Sequence, residues 1–516
     1  MAGSQSLSRR LLATRALLPF AALSACAVGP NFKAPTAPSI SHYTERALPA
    51  RTGSARGPGG AAQHFALGAT IEGDWWQLFH SRELDRLIAT SLRQNPSLDA
   101  AQNTLLAAEE AVRAQQGALL PAATGSLQAA REHGGTSSTS GTSQTSTGTA
   151  ARAAGFTPTY SVLDASVAVS YAPDIFGGVR RQVESARAAA EAQRFALEAA
   201  YLSLTSNVVT AWIQDASLVE RIRVTRQIIG FEQQVLTILQ RQVALGGAAE
   251  ASVLTQRAQL ESTRATLPPL EKQLAQTRDQ LAAYEGTFPQ RFHAQDFDLA
   301  SLSLPGRLPV SLPSSLVEQR PDIRQAAAVL HEQTANVGIA TANLLPQITL
   351  TASYGRNGLS AAQLFTPQGV LWNLVAGLTQ PIFEGGTLRA KQRQAIATMR
   401  AAAADYRNTV VLAFQNVADT LVALQYDAST LAADQQAERA AKSSLDLTRR
   451  QYRLGAVPFT AVLSAEQTYQ SAVIARVQAT AQRYADTAAL FAALGGGWWH
   501  RHDVAEHVRN CCKIVP

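Results

Sequence analysis

The sequence predicts a mainly α-helical, internally duplicated chain in which each copy contributes two β-strands. Three observations lead to this fold class. An internal repeat covers most of the 516 residues. Long alanine-rich stretches contain little glycine or proline, which is typical of extended helices. Between those stretches, short segments alternate apolar and polar residues, which is the period of a β-strand.

The internal repeat divides the chain into two similar halves. NPSLDAAQNTL resembles RPDIRQAAAVL, APDIFGG resembles QPIFEGG, and LGGAAEASVLTQ resembles LGAVPFTAVLSA. A fixed order of such matches indicates two copies of one structural unit. The length difference between the copies lies in a Ser/Thr/Gly-rich stretch near residues 132 to 160, which we expect to be a surface loop. The predicted organisation is a signal peptide over 1–25, an N-terminal segment over 26–80, a first repeat over 81–300, a second repeat over 301–498 and a tail over 499–516.

The spacing of glycine and proline predicts the helix lengths. Nearly 70 residues without proline separate Gly178 from Gly246, and also Gly386 from Gly455, which corresponds to helices of roughly 100 Å. Each copy also has room for a helix of about 24 residues before this long one and for a helix of about 40 residues after it. Two shorter helices would therefore match the length of one long helix.

Four segments are predicted as strands. ITLTASY, DASVAVSYAP and LWNLVAGLTQP alternate clearly, and residues 121–130 alternate more weakly. Apolar residues facing outward and polar residues facing inward are typical of a transmembrane barrel, while an ordinary half-buried sheet is the alternative. Four strands are too few to close a barrel, eight leave an interior filled by side chains, and twelve leave a lumen. Three chains are thus the smallest assembly that conducts.

The N-terminus has the features of a lipoprotein signal peptide. Arg9, Arg10 and Arg15 precede a short apolar run, which ends in Leu23-Ser24-Ala25-Cys26. This order matches a bacterial lipobox, in which the cysteine is lipidated and becomes the first mature residue. The alternative is a signal peptide with an incidental cysteine. We expect Cys26 to carry a covalent lipid.

These features together resemble the TolC-type outer-membrane efflux proteins, and in particular the OprM/NodT lipoprotein branch. The residues that carry the resemblance are CAVGPNFKAP, WWQLFHSRELDRLIATSLRQNPSL, the paired DIFGG and PIFEGG, FQNVADTL, QYRLGAVPFTAVLSAEQ and AALGGGW. The resemblance covers nearly all of residues 26 to 498. It implies a homotrimeric, 12-stranded outer-membrane barrel on a long α-helical periplasmic tunnel, anchored by its lipid.

The function that the resemblance implies is passive conduction in a tripartite efflux pump. The implied partners are outer-membrane lipid, a periplasmic adaptor (membrane fusion) protein and an inner-membrane pump of the resistance-nodulation-division (RND) type. The cargo would be drugs or other small toxic solutes, and neither an enzymatic activity nor a cofactor is expected. A channel for type I protein secretion, which uses the same scaffold, is the alternative.

The helix-to-helix turns at Gly246 and Gly455 match the periplasmic tips of this family, where the aperture lies. Counted from the second glycine, the family often has a leucine five residues further on and an aspartate nine residues further on. This chain has Thr460 and Ser464 at those positions, and Thr255 is the first-copy counterpart of Ser464. Rings of charge govern ion passage, so we expect a hydroxyl ring to hold cations weakly.

Two acidic residues near the tips, Glu250 and Glu466, could supply charge to the aperture instead. The alternative is that they are ordinary solvated residues. Trp75 and Trp76 could anchor the chain at the membrane interface, but the family pattern favours core packing.

The C-terminal residues His500, His502, His507, Cys511 and Cys512 include types that bind metals, but their spacing fits no zinc site, and a frayed tail is favoured. The net charge of +7 is weak evidence for nucleic-acid binding, which we do not expect in a secreted protein.

Overall fold

The computed structural model describes residues 27–133, 159–293 and 297–501. The signal peptide, Cys26, most of the Ser/Thr/Gly-rich stretch and the tail beyond residue 501 lie outside these residues. The chain forms two compact units. The described residues of the first unit fall within Met1–Lys33, Ala108–Ala189 and Leu330–Ala402, and those of the second within Ala34–Ala107, Ala190–Val329 and Ala403–Pro516.

The helices and strands follow one another in an order that repeats along the chain. They are β1 (His64–Leu67), α1 (Arg82–Gln94), α2 (Pro96–Gly117), β2 (Ala122–His133), β3 (Thr159–Tyr171), α3 (Gly178–Ala244), α4 (Glu250–Ala265), α5 (Leu267–Glu285), β4 (Arg307–Val310), α6 (Pro313–Gln319), α7 (Pro321–Ala342), β5 (Gln347–Gly358), β6 (Val370–Thr379), α8 (Thr387–Arg453) and α9 (Phe459–Ala493). No helix in the described part of the chain is both long enough and apolar enough to cross a membrane.

The duplication is visible in the lengths of the helices. The short helices α2 and α7 have 22 residues each, and the long helices α3 and α8 have 67 residues each. Asn95 and Arg320, which precede the first prolines of α2 and α7, are extended because proline disfavours helical backbone in the residue before it. The predicted long and short helices are confirmed.

The helices that follow the long ones differ between the copies. In the second copy, α9 is continuous over 35 residues. In the first copy, the predicted single helix is wrong, because α4 ends at Ala265 and α5 begins at Leu267. Pro268 and Pro269 have no backbone N–H and cannot continue the hydrogen-bond ladder of α4, but they are tolerated in the first turn of a new helix.

All four predicted strands form one antiparallel sheet with the order β2-β3-β5-β6. The second strand of the first copy therefore pairs with the first strand of the second copy. The register places Val167 opposite Tyr354, and Tyr354 opposite Trp372. Strands β2 and β6 form the two edges of this sheet.

The core of the second unit is built on aromatic residues. Trp75 is 1% exposed and stacks on Phe491 with ring centroids 5.3 Å apart. Trp76 is also buried, so the prediction that the tryptophan pair packs in a core is confirmed. A two-stranded parallel sheet of β1 and β4, which the sequence analysis did not predict, lies in the same unit.

We expect two glycines with the same backbone conformation to respond differently to alanine. Gly246 and Gly286 have φ values of 76° and 80°. A Cβ at Gly246 would meet nothing within 4 Å, whereas one at Gly286 would lie 2.3 Å from the carbonyl oxygen of Gln94. Gly246→Ala should cost about 1 kcal/mol of backbone strain, and Gly286→Ala about 4 kcal/mol or more. Denaturant unfolding followed by tryptophan fluorescence measures both, and equal losses of stability would contradict the expectation.

Candidate functional site

The two long helices end in two separate turns of the same type, one at Gly246 and one at Gly455. At Gly246, which has a positive φ, the N–H of Gly247 donates to the carbonyl of Gln242 at 2.7 Å, and the N–H of Gly246 donates to Val243 at 2.9 Å. The two corresponding hydrogen bonds at Gly455 are both 2.9 Å. This pair of bonds is a Schellman motif, in which a left-handed residue satisfies the last carbonyls of a helix. Glycine is the residue that adopts this conformation without steric cost.

The predicted hydroxyl residues all lie just beyond these turns and are exposed. Thr460 and Ser464 are one helical turn apart at the start of α9, on the same face. Thr255, the first-copy counterpart of Ser464, is exposed on α4, where its hydroxyl donates to the carbonyl of Ala251 at 2.8 Å. The exposed face of the first two turns of α9 presents hydroxyls. Their place at an aperture stays a prediction.

Glu466 differs from the other tip residues because it is buried, with only 4% of its surface exposed. One carboxylate oxygen lies 3.8 Å from Nη2 of Arg449, and the other has no hydrogen-bond partner among the described residues. The idea that Glu466 is a solvated tip charge is therefore wrong for this chain. Glu250, the first residue of α4, is exposed.

The surroundings of Glu466 favour its protonated form. Burial raises the pKa of Glu466 to about 7, Arg449 opposes the shift, and the nearby carboxylate of Glu232 adds to it. Glu232 is itself fully buried, and accepts hydrogen bonds from the hydroxyl of Thr263 at 3.0 Å and the amide of Gln470 at 3.1 Å. This polar cluster links α3, α4, α8 and α9. Sequence reasoning gave no signal for it, because the burial of Glu466 depends on how four helices pack.

The four-stranded sheet has one apolar and one polar face. The apolar face is exposed, and Trp372 and Leu374 are each 74% exposed. On the opposite face, the hydroxyls of Ser126 and Ser166 lie 2.8 Å apart, and Ser353 donates to Asn373 at 3.0 Å. Exposed apolar surface of this kind marks a contact with lipid or protein. Leu371 and Val375 of β6 depart from the pattern, since their register places them on the polar face.

The residues that follow Cys26 are held at the start of α3. The backbone N–H of Val28 donates to Phe176 at 3.1 Å, and Nε of Arg181 donates to the carbonyl of Val28 at 3.1 Å. Nη2 of Arg181 donates to the side chain of Asn31 at 2.6 Å. The ring of Phe32 stacks on His331 at a centroid distance of 4.4 Å. We call Ala27–Phe32 with these contacts the N-terminal clamp, which the sequence analysis missed.

Among the described residues, no group of three or more His, Cys, Asp or Glu side chains is arranged to hold a metal ion. Four of the five metal-capable residues of the tail, His502, His507, Cys511 and Cys512, lie outside the described part of the chain.

Comparisons with known proteins agree with this geometry. The model of the family "Outer membrane efflux protein" matches residues 87–287 and 312–496. The pyoverdine export outer membrane protein OpmQ of Pseudomonas putida is 30% identical over 82% of this chain and 88% of its own length. The antibiotic efflux pump outer membrane protein ArpC of the same species is 28% identical over 93% of this chain and 94% of its own length.

A solved structure has the same fold. The outer-membrane channel OprN superimposes with a TM-score of 0.80 and 26% identity, covering 92% of this chain and all of the OprN chain. Two 67-residue helices in a duplicated chain whose sheet exposes an apolar face define a subunit of an outer-membrane channel. The chain belongs to the outer membrane efflux protein family, and its place is the outer membrane.

We expect Ser464→Asp to strengthen cation binding in the channel. A carboxylate attracts cations more strongly than a hydroxyl, so a ring of three aspartates should increase block by divalent cations and cation selectivity. Planar-bilayer conductance with and without added divalent cations measures the effect. Thr104→Asp, which adds the same charge at an exposed position of α2 outside the helix-to-helix turns, is the matched control and should leave cation block unchanged. Equal cation affinity in the wild type and Ser464→Asp would contradict the prediction.

The raised pKa of Glu466 predicts a pH-dependent stability. Between the usual value of 4.5 and about 7, the unfolded chain has released a proton that the folded chain retains. The free energy of unfolding therefore falls as the pH rises through this window.

Glu466→Gln removes the titrating group. Between pH 5 and pH 8, the free energy of unfolding of this variant should therefore rise by on the order of 2 kcal/mol relative to that of the wild type. Denaturant unfolding at both pH values tests this. Glu250→Gln, at an exposed position, serves as the control and should leave the pH dependence unchanged. Parallel pH profiles for the wild type and Glu466→Gln would rule the expectation out.

Removal of Arg181 should release the N-terminal clamp. A hydrogen bond to a charged group contributes about 1.5 kcal/mol or more, so Arg181→Ala should raise hydrogen exchange in residues 27–32 by roughly tenfold or more. Mass spectrometry of the exchanged peptides measures it. Arg187→Ala, an exposed arginine on the same helix, is the control. Unchanged exchange in Arg181→Ala would show that other contacts hold the segment.

Proposed function

We propose that the chain is the outer-membrane channel subunit of a tripartite efflux pump and that it conducts drugs or other small toxic solutes passively. The observation that carries this proposal is the four-stranded sheet, with its exposed apolar face and two open edges, in a chain with two 67-residue helices. A conduit needs no catalytic group, so we propose no enzymatic activity. Cys26 carries a covalent lipid that anchors the protein in the outer membrane.

The working assembly in this proposal is a homotrimer. Each chain offers β2 and β6 as edges, and unpaired backbone groups are costly in lipid, so β6 of one copy pairs with β2 of the next. Three chains close a barrel of twelve strands, which is wide enough for a lumen. The turns at Gly246 and Gly455 then form the periplasmic aperture, with Thr255, Thr460 and Ser464 around it and the buried Glu466 behind them.

The partners we propose are a periplasmic adaptor protein and an inner-membrane pump of the RND type. Support comes from relatives that align with most of this chain. One of them is named for pyoverdine export and another for antibiotic efflux. These names favour small organic molecules as cargo over polypeptides. No feature of the described residues favours the alternative of type I protein secretion.

A deletion strain tests the proposal. Loss of the gene should lower the minimum inhibitory concentrations of several compounds in a panel of antibiotics, dyes, solvents and metal salts, and a plasmid copy should restore them. A Gly286→Ala copy, which we expect to fold poorly, is the negative control for complementation. Unchanged sensitivity together with loss of a secreted protein would favour type I secretion and overturn the efflux proposal.

A further inference from the structure

The helices α2, α3, α7 and α8 lie in the same order as the strands of the sheet. Each of α2, α3, α7 and α8 contacts the next through polar side chains, so that α2 and α8 stand at the two ends of the series. The hydrogen bonds are Gln115 to Gln182 at 2.8 Å, Ser185 to Asn336 at 2.9 Å and Gln392 to Thr341 at 3.1 Å. In a closed ring of copies, α8 must meet α2 of the next copy.

The contact between α3 and α7 within one chain is a template for the contact between α8 and α2 of neighbouring copies. It joins the long helix of the first repeat to the short helix of the second. Nη2 of Arg324 on α7 lies 3.9 Å from a carboxylate oxygen of Glu191 on α3. Ala335, which lies one helical turn from His331 on α7, is completely buried. The duplication means that α8 and α2 are built like α3 and α7.

Equivalent positions carry exchanged charges. Asp99 and Arg324 are each the fourth residue of a 22-residue helix, and Glu191 and Arg400 are each the fourteenth residue of a 67-residue helix. The template pair of Arg324 on the short helix with Glu191 on the long helix thus becomes Asp99 on the short helix with Arg400 on the long helix. The signs are reversed, but the pair remains complementary.

A second complementary pair lies within one helical turn of another template contact, because His331 of α7 corresponds to Leu106 of α2 and Glu110 is four residues further along that helix. Glu110 of α2 corresponds to the buried Ala335 of α7; in the single chain its side chain is 53% exposed and forms an ion pair with Arg113 of the same helix. Arg393 of α8 corresponds to Glu184 of α3, which contacts α7 through His331 at 3.0 Å. Asp99 and Glu110 share one face of α2, and Arg393 and Arg400 share one face of α8.

The two arginines of α8 have no partner within the described residues. Both Arg393 and Arg400 are exposed, and neither forms an ion pair or hydrogen bond there. An arginine face without partners on α8 and an acidic face on α2, the helices at the two ends of the series, are the arrangement that self-complementary copies need.

We propose that α2 of one copy packs against α8 of the next, with Asp99 opposite Arg400 and Glu110 opposite Arg393. The inference rests on the proposed trimer and names the residues that set its register. Exposed ion pairs contribute little affinity each, so their role is to fix which faces meet and at which height.

Crosslinking tests the geometry directly. Asp99→Cys and Arg400→Cys are combined in one chain in which Cys511→Ser and Cys512→Ser remove the tail thiols, while Cys26 is kept for lipidation. A short bismaleimide should then give covalent dimers and trimers on a denaturing gel. Asp99→Cys combined with Thr398→Cys, on the far face of α8, is the matched control and should stay monomeric. Equal crosslinking in both variants, or none with Arg400→Cys, overturns the pairing.

Charge exchange tests the energetics. Arg400→Glu places like charges opposite each other and should raise trimer dissociation on dilution in detergent by roughly tenfold. The double variant Asp99→Arg with Arg400→Glu restores complementarity and should return dissociation to near the wild-type value. Lys391→Glu makes the same charge change on the opposite face and should have little effect. The inference is overturned if the double variant still dissociates like Arg400→Glu and Lys391→Glu raises dissociation as much as Arg400→Glu does.

The oligomeric state separates this inference from the proposed function. Light scattering in detergent that finds a trimer, together with no crosslink between positions 99 and 400, rejects the pairing and leaves the trimeric channel standing. Light scattering that finds only monomers rejects both.

Discussion

The unpaired edges of the four-stranded sheet are the constraint on which the rest of the structure depends. Strand β2 has a partner on one side only, and so does β6, while the face between them presents tryptophan and leucine to the surroundings. In a bilayer, each backbone group without a partner costs several kcal/mol, so an isolated sheet of this kind is unstable there. In the proposed trimer, further copies of the chain remove the edges, and the internal pairing of β3 with β5 is the model for that contact. The duplication is thus what allows one antiparallel pattern to continue across chain boundaries.

The helices follow from the same duplication, but a different physical rule sets their ends. Each long helix runs for 67 residues and ends at a glycine with a positive φ, where the N–H groups of that glycine and of the next residue donate to the last carbonyls of the helix. Gly246 and Gly455 have open space around them, so backbone conformation alone selects glycine there. Gly286 also ends a helix with a positive φ, but the backbone of Gln94 lies against it. Local turn chemistry and close packing are therefore separate reasons for the same residue type.

Most of the fold could be predicted from the sequence because its signals are local or repeated. Strand alternation, proline-free runs and matched glycines each need only neighbouring residues, and the repeat allowed a weak strand such as β2 to be recognised from its stronger counterpart. The break at Thr266 was missed, although Pro268 and Pro269 are a signal for it. Proline cannot continue a helix, but it is tolerated in the first turn of a new one. The pairing of β1 with β4 was missed because the two strands are short and far apart in the chain.

The candidate site was less predictable, since burial depends on packing between distant elements. Thr255, Thr460 and Ser464 are exposed as expected of tip residues, but Glu466 is enclosed by four helices, and nothing in its neighbours along the chain indicates this. Arg181 was likewise one of many arginines until the structure placed Val28 and Asn31 against it. Contacts of that kind join residues about 150 positions apart, beyond the reach of a local pattern.

The location of the carboxylates bears on how the proposed aperture would close. The exposed start of α9 offers hydroxyls, and the nearby carboxylates of Glu232 and Glu466 are buried among α3, α4, α8 and α9. A buried carboxylate acts on the helices that enclose it and only weakly on an ion in solvent. Glu232 and Glu466 would therefore influence the aperture through the stability of the helix packing behind it, whereas Glu250 is exposed at the start of α4. Opening that separates these helices would expose Glu466 to water, where its ionised form is favoured, so that helix movement and loss of its proton are coupled.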